Sequence, residues 1–278
     1  MSDGSDPCLY PGTDVLRNVP GLRSAPQLTA FETLNTARRS YELLRTPLPG
    51  VFDTDHLKAI HRYLFQDVFH WAGEFRTTML GKAEQLGKLP TWFTPPHLLE
   101  HEAERIFAKL TRANRLRDLP RADFAQRAAG LLAEINHLHP FREGNGRTQR
   151  LFVDSLARQT GHALYFDVVS RERMVQASVE SMAGKPDMMI RMFDEITDSE
   201  RIQPLRRAIA FLDRQKFKWN DTYIATTTPG QNYSGRLVGR DGKAFMMRSD
   251  DDRILIGRVS DIDHGARTGD CISFRAAR

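Results

Sequence analysis

LLAEINHLHPFREGNGRTQRLFVDSLA, residues 131–157, joins two apolar helical runs through a short polar loop. Pro140 disfavours continuation of the first helix, which should end near residues 137–139. Two glycines flank Asn145, so the backbone there can adopt positive φ and come close to a ligand. A second helix is predicted from Arg147 to about Thr160. The stretch therefore predicts a helix–loop–helix unit built around a binding loop.

The polar residues of this loop suit an anion. The start of the second helix offers free backbone N–H groups and the positive end of the helix dipole. Arg147 and Arg150 share one helix face at i, i+3, and two arginines beside such a loop suit a di- or triphosphate. Glu143 lies where Mg²⁺ would bridge to phosphates. His139 is the side chain here that can take a proton near neutral pH.

Each feature has an ordinary structural explanation when it is taken alone. His137 and His139 are more typical of a helix end than of a zinc site, since no cysteine or aspartate stands nearby at zinc spacing. Arginines at i, i+3 are usually a surface pair, and Gly-Asn-Gly is usually a turn. Their combination within twelve residues favours a functional site.

The segment from His139 to Arg150 resembles the active-site motif of Fic-domain proteins, His-x-Phe-x-Asp/Glu-Gly-Asn-Gly-Arg-x-x-Arg, with every fixed position filled. The resemblance covers roughly residues 10–200. It implies a mainly α fold, in which a helical bundle surrounds the loop and a β-hairpin flap lies beside it. It also implies an enzyme that transfers AMP from ATP to a serine, threonine or tyrosine hydroxyl of a target protein.

The resemblance assigns a role to each motif residue. His139 would be the catalytic base, Phe141 a core anchor and Glu143 the Mg²⁺ ligand. The ATP phosphates would be held by Gly144, Asn145, Gly146, Arg147 and Arg150. The flap, about Thr77 to Thr94, would pair with an extended target segment, with docking residues Thr77, Thr78, Met79, Leu80, Trp92 and Phe93.

The rest of the chain is predicted to be helical up to about residue 215 and β-rich after it. Apolar spacing predicts helices at 27–45, 97–116, 121–138, 171–183, 186–197 and 200–215, after an irregular arm at 1–26. A further helix, capped by Asp53 or Thr54, is predicted to run through Leu57, Ile60, Leu64 and Phe65. Five short β-type runs follow Asn220. The expected domains are a Fic domain at 1–200, a connecting helix at 201–219 and a small OB-like barrel at 220–278, with an SH3-like barrel as the competing interpretation.

Charge is unevenly distributed along the chain. The net charge is +5, but residues 201–278 carry fifteen Lys and Arg against nine Asp. This excess of positive charge has two interpretations. The β module binds nucleic acid or an acidic protein, or its basic residues form a solvated face without a binding role. Aromatic residues that could stack on bases, or fill a core instead, are Trp219, Tyr223, Tyr233 and Phe245.

Composition also bears on location. The two cysteines, Cys8 and Cys271, form no disulfide framework, and no apolar run is long enough to span a membrane. The N-terminus lacks a secretory pattern, so the cytoplasm is expected. The chain resembles type IV secretion effectors of this family, in which a Fic domain and an OB-fold precede a secretion-signal domain. Delivery into a recipient or host cell is therefore an alternative expectation, although the sequence has no counterpart of that third domain.

Control of the activity is expected to come from outside the chain. Many Fic proteins carry an inhibitory helix with the pattern Ser/Thr-x-x-x-Glu-Gly/Asn, whose glutamate pairs with the second motif arginine. Of the thirteen glutamates, only Glu143 precedes Gly or Asn, and His139 stands four residues before it. The resemblance then implies a small antitoxin-like partner acting through Arg150, or no such control.

Two other functional classes remain open. The same fold supports UMP transfer, phosphocholine transfer or phosphorylation, although the intact Gly-Asn-Gly and both arginines favour AMP transfer. A non-enzymatic adaptor, binding nucleic acid or protein through the basic β module, is the third hypothesis.

Overall fold

The structure is a computed structural model that describes residues 6–82 and 91–277, and the chain divides into two compact units. The first unit contains residues 1–119 and 130–162, and the second contains 120–129 and 163–278. The described residues form eight α-helices and seven strands. The mainly α class predicted from the sequence is confirmed.

The helices lie close to the predicted segments. Their bounds are α1 Ala25–Arg45, α2 Thr54–Phe65, α3 Leu99–Arg112, α4 Arg121–Leu138, α5 Asn145–Gln159, α6 Arg171–Met182, α7 Asp187–Ile196 and α8 Ser199–Arg214. Asp53 caps α2 by accepting a hydrogen bond from the His56 N–H. This cap satisfies one of the orphan donors of the first turn and explains why the helix begins there.

Helix α2 forms the centre of the first unit. It packs against α1, α3 and α5. Two histidines share its buried face with aliphatic and aromatic residues: His56, Leu57, Ile60, His61, Leu64 and Phe65. A helix buried on this many positions forms the floor on which the motif loop rests.

A two-stranded antiparallel hairpin, β1 (Gly81–Lys82) and β2 (Thr91–Trp92), occupies the predicted flap position. Gly81 pairs with Trp92, and the Phe93 N–H donates to the Leu80 carbonyl at 3.1 Å. The part of the predicted flap at 83–90 lies outside the described residues. The hairpin bases therefore define where the flap joins the helical unit.

The second unit combines α6, α7 and α8 with a five-stranded sheet. The strands are β3 (Ile224–Thr226), β4 (Asn232–Arg240), β5 (Ala244–Ser249), β6 (Ile254–Arg258) and β7 (Cys271–Arg275), in the order β3-β6-β5-β4-β7. Strand β3 pairs in parallel with β6, and the other pairings are antiparallel.

The closed OB-like barrel predicted for this region is wrong. Among the described residues, β3 and β7 are the two edges of the sheet and do not pair with each other. Composition gave the correct number of strands, but closure depends on the register and tilt of strands that are distant in sequence.

A buried ion pair lies in the second unit. Arg173 on α6 pairs with Glu195 on α7, and both side chains are 1% exposed. The other Glu195 oxygen, Oε2, accepts from the Thr226 N–H at 2.7 Å, which ties β3 to the helices. Removal of either charge would leave the other buried without its partner.

Two of the proposed base-stacking aromatics lie in the core of this unit. Tyr223 is 4% exposed and Phe245 is 1% exposed, and both belong to the hydrophobic cluster of the sheet. Tyr233 packs against the same cluster. The aromatic pattern of the β module is thus largely explained by packing. Within the described residues, no helix has the length and apolarity required to cross a membrane.

Candidate active site

The motif loop begins with a strained residue. Helix α4 ends at Leu138, and His139 takes a φ of +45°, in the left-handed region. The His139 N–H still donates to the Ile135 carbonyl at 3.0 Å. This conformation costs a residue other than glycine roughly 1–2 kcal/mol, so contacts with the surrounding residues must stabilise it.

The His139 imidazole is half-buried and oriented from two sides. Its Nδ1 lies 3.3 Å from the Asn136 carbonyl oxygen, which can only accept, so Nδ1 carries the proton in the neutral ring. The ring stacks on Phe93 with centroids 3.8 Å apart and planes 11° apart. This tautomer assigns the lone pair of the neutral ring to Nε2, the atom that would take a proton.

Asn145 clamps the loop. Its Oδ1 accepts from the Phe141 N–H at 2.9 Å, and its Nδ2 donates to the Phe141 carbonyl at 2.7 Å. Asn145 is 3% exposed, so its side chain fixes the loop and only its backbone N–H can face a ligand. Phe141 is 1% exposed, which agrees with the anchor role predicted for it.

Gly144 has the positive φ that the sequence predicted, and its backbone lies close to the Phe65 ring. It is the N-cap of α5, with φ +82°, and a Cβ placed there would lie 2.1 Å from Cζ of Phe65. The first intrahelical bond of α5 runs from the Thr148 N–H to the Gly144 carbonyl at 3.1 Å. The N–H groups of the first turn, at residues 145–147, precede that bond and form the anion-binding end of the helix.

His61 supports the loop from below, and sequence reasoning missed it. Its Nδ1 accepts from the Gly73 N–H at 2.8 Å, so Nε2 donates to the Glu143 carbonyl at 3.0 Å. Its ring stacks on Phe141 with a centroid distance of 3.8 Å. Burial lowers the pKa of His61 to about 3, so the ring is neutral.

Arg147 is engaged by helix α1. It forms an ion pair with Glu32 through Nη2, and its Nη1 donates to the Thr36 hydroxyl at 3.1 Å. Nη2 also lies 3.4 Å from Glu143 Oε1, and the guanidinium sits 4.8 Å from the centre of the Phe65 ring. Burial raises the pKa of Glu32, and the Arg147 charge opposes that shift.

Arg150 differs from Arg147 in having no acidic partner among the residues the structure describes. It is half-buried, and burial lowers the pKa of its guanidinium, with a further contribution from the charge of Arg147. Its Nη1 lies 3.3 Å from the point where a Cβ on Gly146 would stand, so it points along the loop. A partly buried cation of this kind is a ready ligand for an anion.

Glu143 is oriented by one of its two oxygens. Oε1 accepts from the Gly144 N–H at 2.9 Å, and the side chain is 44% exposed. No group of three or more metal-ligating side chains occurs in the described part of the chain. A Mg²⁺ ion here would take one carboxylate and complete its shell with phosphate oxygens and water, which is common for this ion.

The predicted docking residues divide into two groups. Met79 and Trp92 are 49% and 57% exposed, Thr77 is exposed, and Thr78 and Leu80 are half-buried. Phe93 is 4% exposed and lies against the His139 ring. The structure thus gives Phe93 a position suited to orienting the imidazole, which differs from the docking role predicted for it.

Arg76 is a further contact of the motif that sequence reasoning missed. Its Nε donates to the His139 carbonyl at 2.8 Å, and the residue is 4% exposed. Nothing in GEFRTT distinguishes this arginine from a surface residue. His61 left a faint signal, since it lies on the α2 face of Leu57, Ile60 and Leu64, where a polar residue is unexpected.

These elements define a class of site: an anion-binding loop at a helix N-terminus, two arginines, an oriented carboxylate and a histidine held beside them. The Fic/DOC family matches residues 51–157. Protein adenylyltransferase VbhT of Bartonella schoenbuchensis is 40% identical over 185 residues, which cover 66% of this chain and 37% of that protein. The chain thus spans little more than a third of that relative's length.

Solved structures agree in fold. The type IV secretion system effector protein BepA matches with a TM-score of 0.88 and 30% identity, covering 98% of this chain and 96% of that one. The N-terminal Fic domain of a Bartonella quintana VirB-translocated effector, solved with bound ADP, matches with a TM-score of 0.63 and 30% identity, covering 70% and 97%. The chain belongs to the Fic/DOC family.

Proposed function

We propose that this protein is a protein adenylyltransferase, which transfers AMP from ATP to a hydroxyl of a target protein. The observation that carries the proposal is the half-buried Arg150 guanidinium, which has no acidic partner in the described chain, beside an anion-binding loop. The names of the relatives support it, since VbhT is called a protein adenylyltransferase and the B. quintana Fic domain holds ADP.

His139 is the base in this proposal. Its neutral tautomer holds the Nδ1 proton against the Asn136 carbonyl, so Nε2 would accept the proton of the target hydroxyl. The alkoxide oxygen then attacks the α-phosphorus of ATP, the bond to the bridging oxygen breaks, and pyrophosphate leaves. A positioned base of this kind typically contributes about 10²–10⁴ in rate.

The phosphates are held by the backbone of Gly144, Asn145 and Gly146 and by the arginines. Arg150 is ready to bind, whereas Arg147 must share its guanidinium with Glu32 or release it. Glu143 has the chemistry of a Mg²⁺ ligand, and the ion would neutralise phosphate charge. The exposed flap residues, such as Met79 and Trp92, are proposed to contact the target chain.

The remaining expectations are part of the same proposal. The domains would be 1–200, 201–219 and 220–278. An antitoxin-like protein would silence the enzyme by placing a glutamate on Arg150, as a charge-assisted pair. Delivery by type IV secretion is proposed because BepA is named as such an effector.

The experiment is to follow proteins labelled from α-³²P-ATP and Mg²⁺ in a lysate, with the intact chain and with His139→Ala. Labelling should disappear in the variant, while ADP affinity measured by calorimetry stays within about twofold, because the phosphate ligands are unchanged. Labelling by His139→Ala at a rate close to that of the unmodified protein would rule out His139 as the catalytic base.

The alternative donors are compared in the same assay. Stronger labelling from α-³²P-UTP, or from CDP-choline labelled in its phosphocholine group, than from ATP would show that the protein transfers UMP or phosphocholine instead of AMP. With γ-labelled ATP, the intact chain should add no label beyond that seen in the lysate with His139→Ala, whereas a kinase would add it. An adaptor would label no protein with any donor and would bind single-stranded nucleic acid in a salt-dependent way.

A further inference from the structure

Arg76 joins three separate parts of the first unit through carbonyl oxygens. Its Nε donates to the His139 carbonyl at 2.8 Å, Nη1 donates to the Thr78 carbonyl at 2.7 Å, and Nη2 donates to the Thr94 carbonyl. Its own backbone N–H donates to the Pro140 carbonyl at 2.8 Å. One side chain therefore links both bases of the flap to the residue that carries the imidazole.

The environment of Arg76 is unusual for a cation. The residue is 4% exposed, and within the described part of the chain its hydrogen-bond partners are carbonyl oxygens, with no carboxylate among them. Burial lowers the pKa of its guanidinium. Burial of a charge is unfavourable unless its hydrogen bonds are made, so the three carbonyls have to keep their positions around the fork.

Arg76 also contacts the segment of the motif whose backbone is strained. His139 has a φ of +45°, and Arg76 bonds to the carbonyls of both His139 and Pro140. On the other side, the Thr94 N–H and hydroxyl donate to the His137 carbonyl at 3.2 and 3.3 Å, next to the Phe93 ring that stacks on the imidazole. Strained residues persist where their surroundings over-determine them, as here.

We propose that Arg76 is a positioning residue that locks the flap and His139 into one unit. This inference rests on the proposed function. A target segment paired with the flap would then present its hydroxyl at a fixed distance from Nε2. Misplacement of reacting groups by about 1 Å can reduce a rate about 10²-fold. A residue that anchors both the flap and the base therefore increases the rate of transfer.

The main test is Arg76→Lys, which keeps the charge but cannot reach three carbonyls in three directions. The initial rate of labelling of the strongest lysate band, at saturating ATP, should fall at least about tenfold. ADP affinity should remain within about twofold, because no phosphate ligand is altered. A loss confined to the transfer step, with nucleotide binding intact, is not what a general folding defect produces.

The matched control is Arg115→Lys. Arg115 also donates through Nε to a backbone carbonyl, that of Val51 at 2.8 Å. Among the described residues, this hydrogen bond involves neither the motif nor residues 77–82 and 91–94. This variant should label at the rate of the unmodified protein. Equal labelling rates for Arg76→Lys and Arg115→Lys would overturn the proposal.

A second measurement needs no variant and no target. In the unmodified protein, the amide protons of Arg76, Thr94 and His139 should exchange with deuterium through one opening event, with the same urea dependence. Independent exchange of Thr94, at least about tenfold faster than that of His139, would overturn the proposal. If the unmodified protein labels nothing but these amides open together, the proposed function fails and the positioning role stands.

Discussion

Gly144→Ala tests the idea that the phosphate loop is fitted to the aromatic floor beneath it. A methyl group at this position would lie 2.1 Å from Cζ and 2.3 Å from Cε2 of Phe65. The Phe65 ring cannot withdraw freely, since it is fully buried, stacks on His61 at 4.7 Å and lies under Arg147. The φ of +82° adds backbone strain for any residue other than glycine.

The expected cost has two parts. The left-handed backbone costs alanine about 1–2 kcal/mol. Carbon atoms normally approach to about 3.5–4.0 Å, so the ring has to move by more than an ångström. Overpacking of this kind costs about 1–3 kcal/mol. The two parts together predict a loss of about 2–5 kcal/mol.

Gly161→Ala is the matched control. Gly161 has a similar φ of +78°, but nothing lies within 4 Å of a Cβ placed there, so only the backbone part applies. The assay is urea unfolding followed by tryptophan fluorescence, because Trp71 stacks on Phe69 at 4.4 Å in the same aromatic group. If Gly144→Ala loses no more stability than Gly161→Ala, the reasoning is refuted.

Three other changes test the site. Glu32→Gln removes a negative charge beside the phosphate loop and frees Arg147, so ADP affinity without metal should rise about threefold or more in calorimetry; weaker binding would contradict this. EDTA should stop transfer and Glu143→Ala should mimic chelation, whereas full activity in EDTA would exclude the metal. The pKa of His61 falls from 6.5 to about 3 on folding. Between these two pH values the unfolded chain binds one more proton than the folded chain. The free energy of unfolding therefore decreases by about 1.4 kcal/mol for each unit by which the pH is lowered in this range. His61→Gln should make the urea midpoint less sensitive to pH between 7 and 4, and an unchanged slope would contradict the assignment.

The helices were predictable because their signals are local. Apolar spacing gave α4 its observed bounds, and the cap of α2 is Asp53, one of the two predicted candidates. Helix α5 begins at Asn145, two residues before the predicted start, because Gly144 serves as its N-cap. Helix ends depend on capping geometry more than on periodicity, so differences of this size are expected.

The closed barrel was not predictable in the same way. Five β-type runs were correctly counted from the sequence, and the structure arranges them as a sheet with β3 and β7 at its edges. Strand order and closure depend on pairings between segments far apart in the chain, which composition does not record. Similarly, Tyr223 and Phe245 could stack on bases or fill a core, and only their burial decided between the two.

What the sequence by itself determined is the local chemistry of the loop. Residues 139–150 follow one another in the chain, so their glycines, arginines, carboxylate and imidazole must lie near each other in any fold that keeps the helix–loop–helix. The backbone freedom of Gly144 and the pairing of Arg147 and Arg150 on one face follow from that order alone.

Only the tertiary structure decided how these residues are held and which of them is available. Glu32 occupies Arg147 from α1, His61 supports the loop from α2, and Arg76 ties His139 to the flap. The separation in sequence is 63 residues between Arg76 and His139, 82 between His61 and Glu143, and 115 between Glu32 and Arg147. A hydrogen bond depends on distance and direction in space, and spacing along the chain does not encode either across such separations.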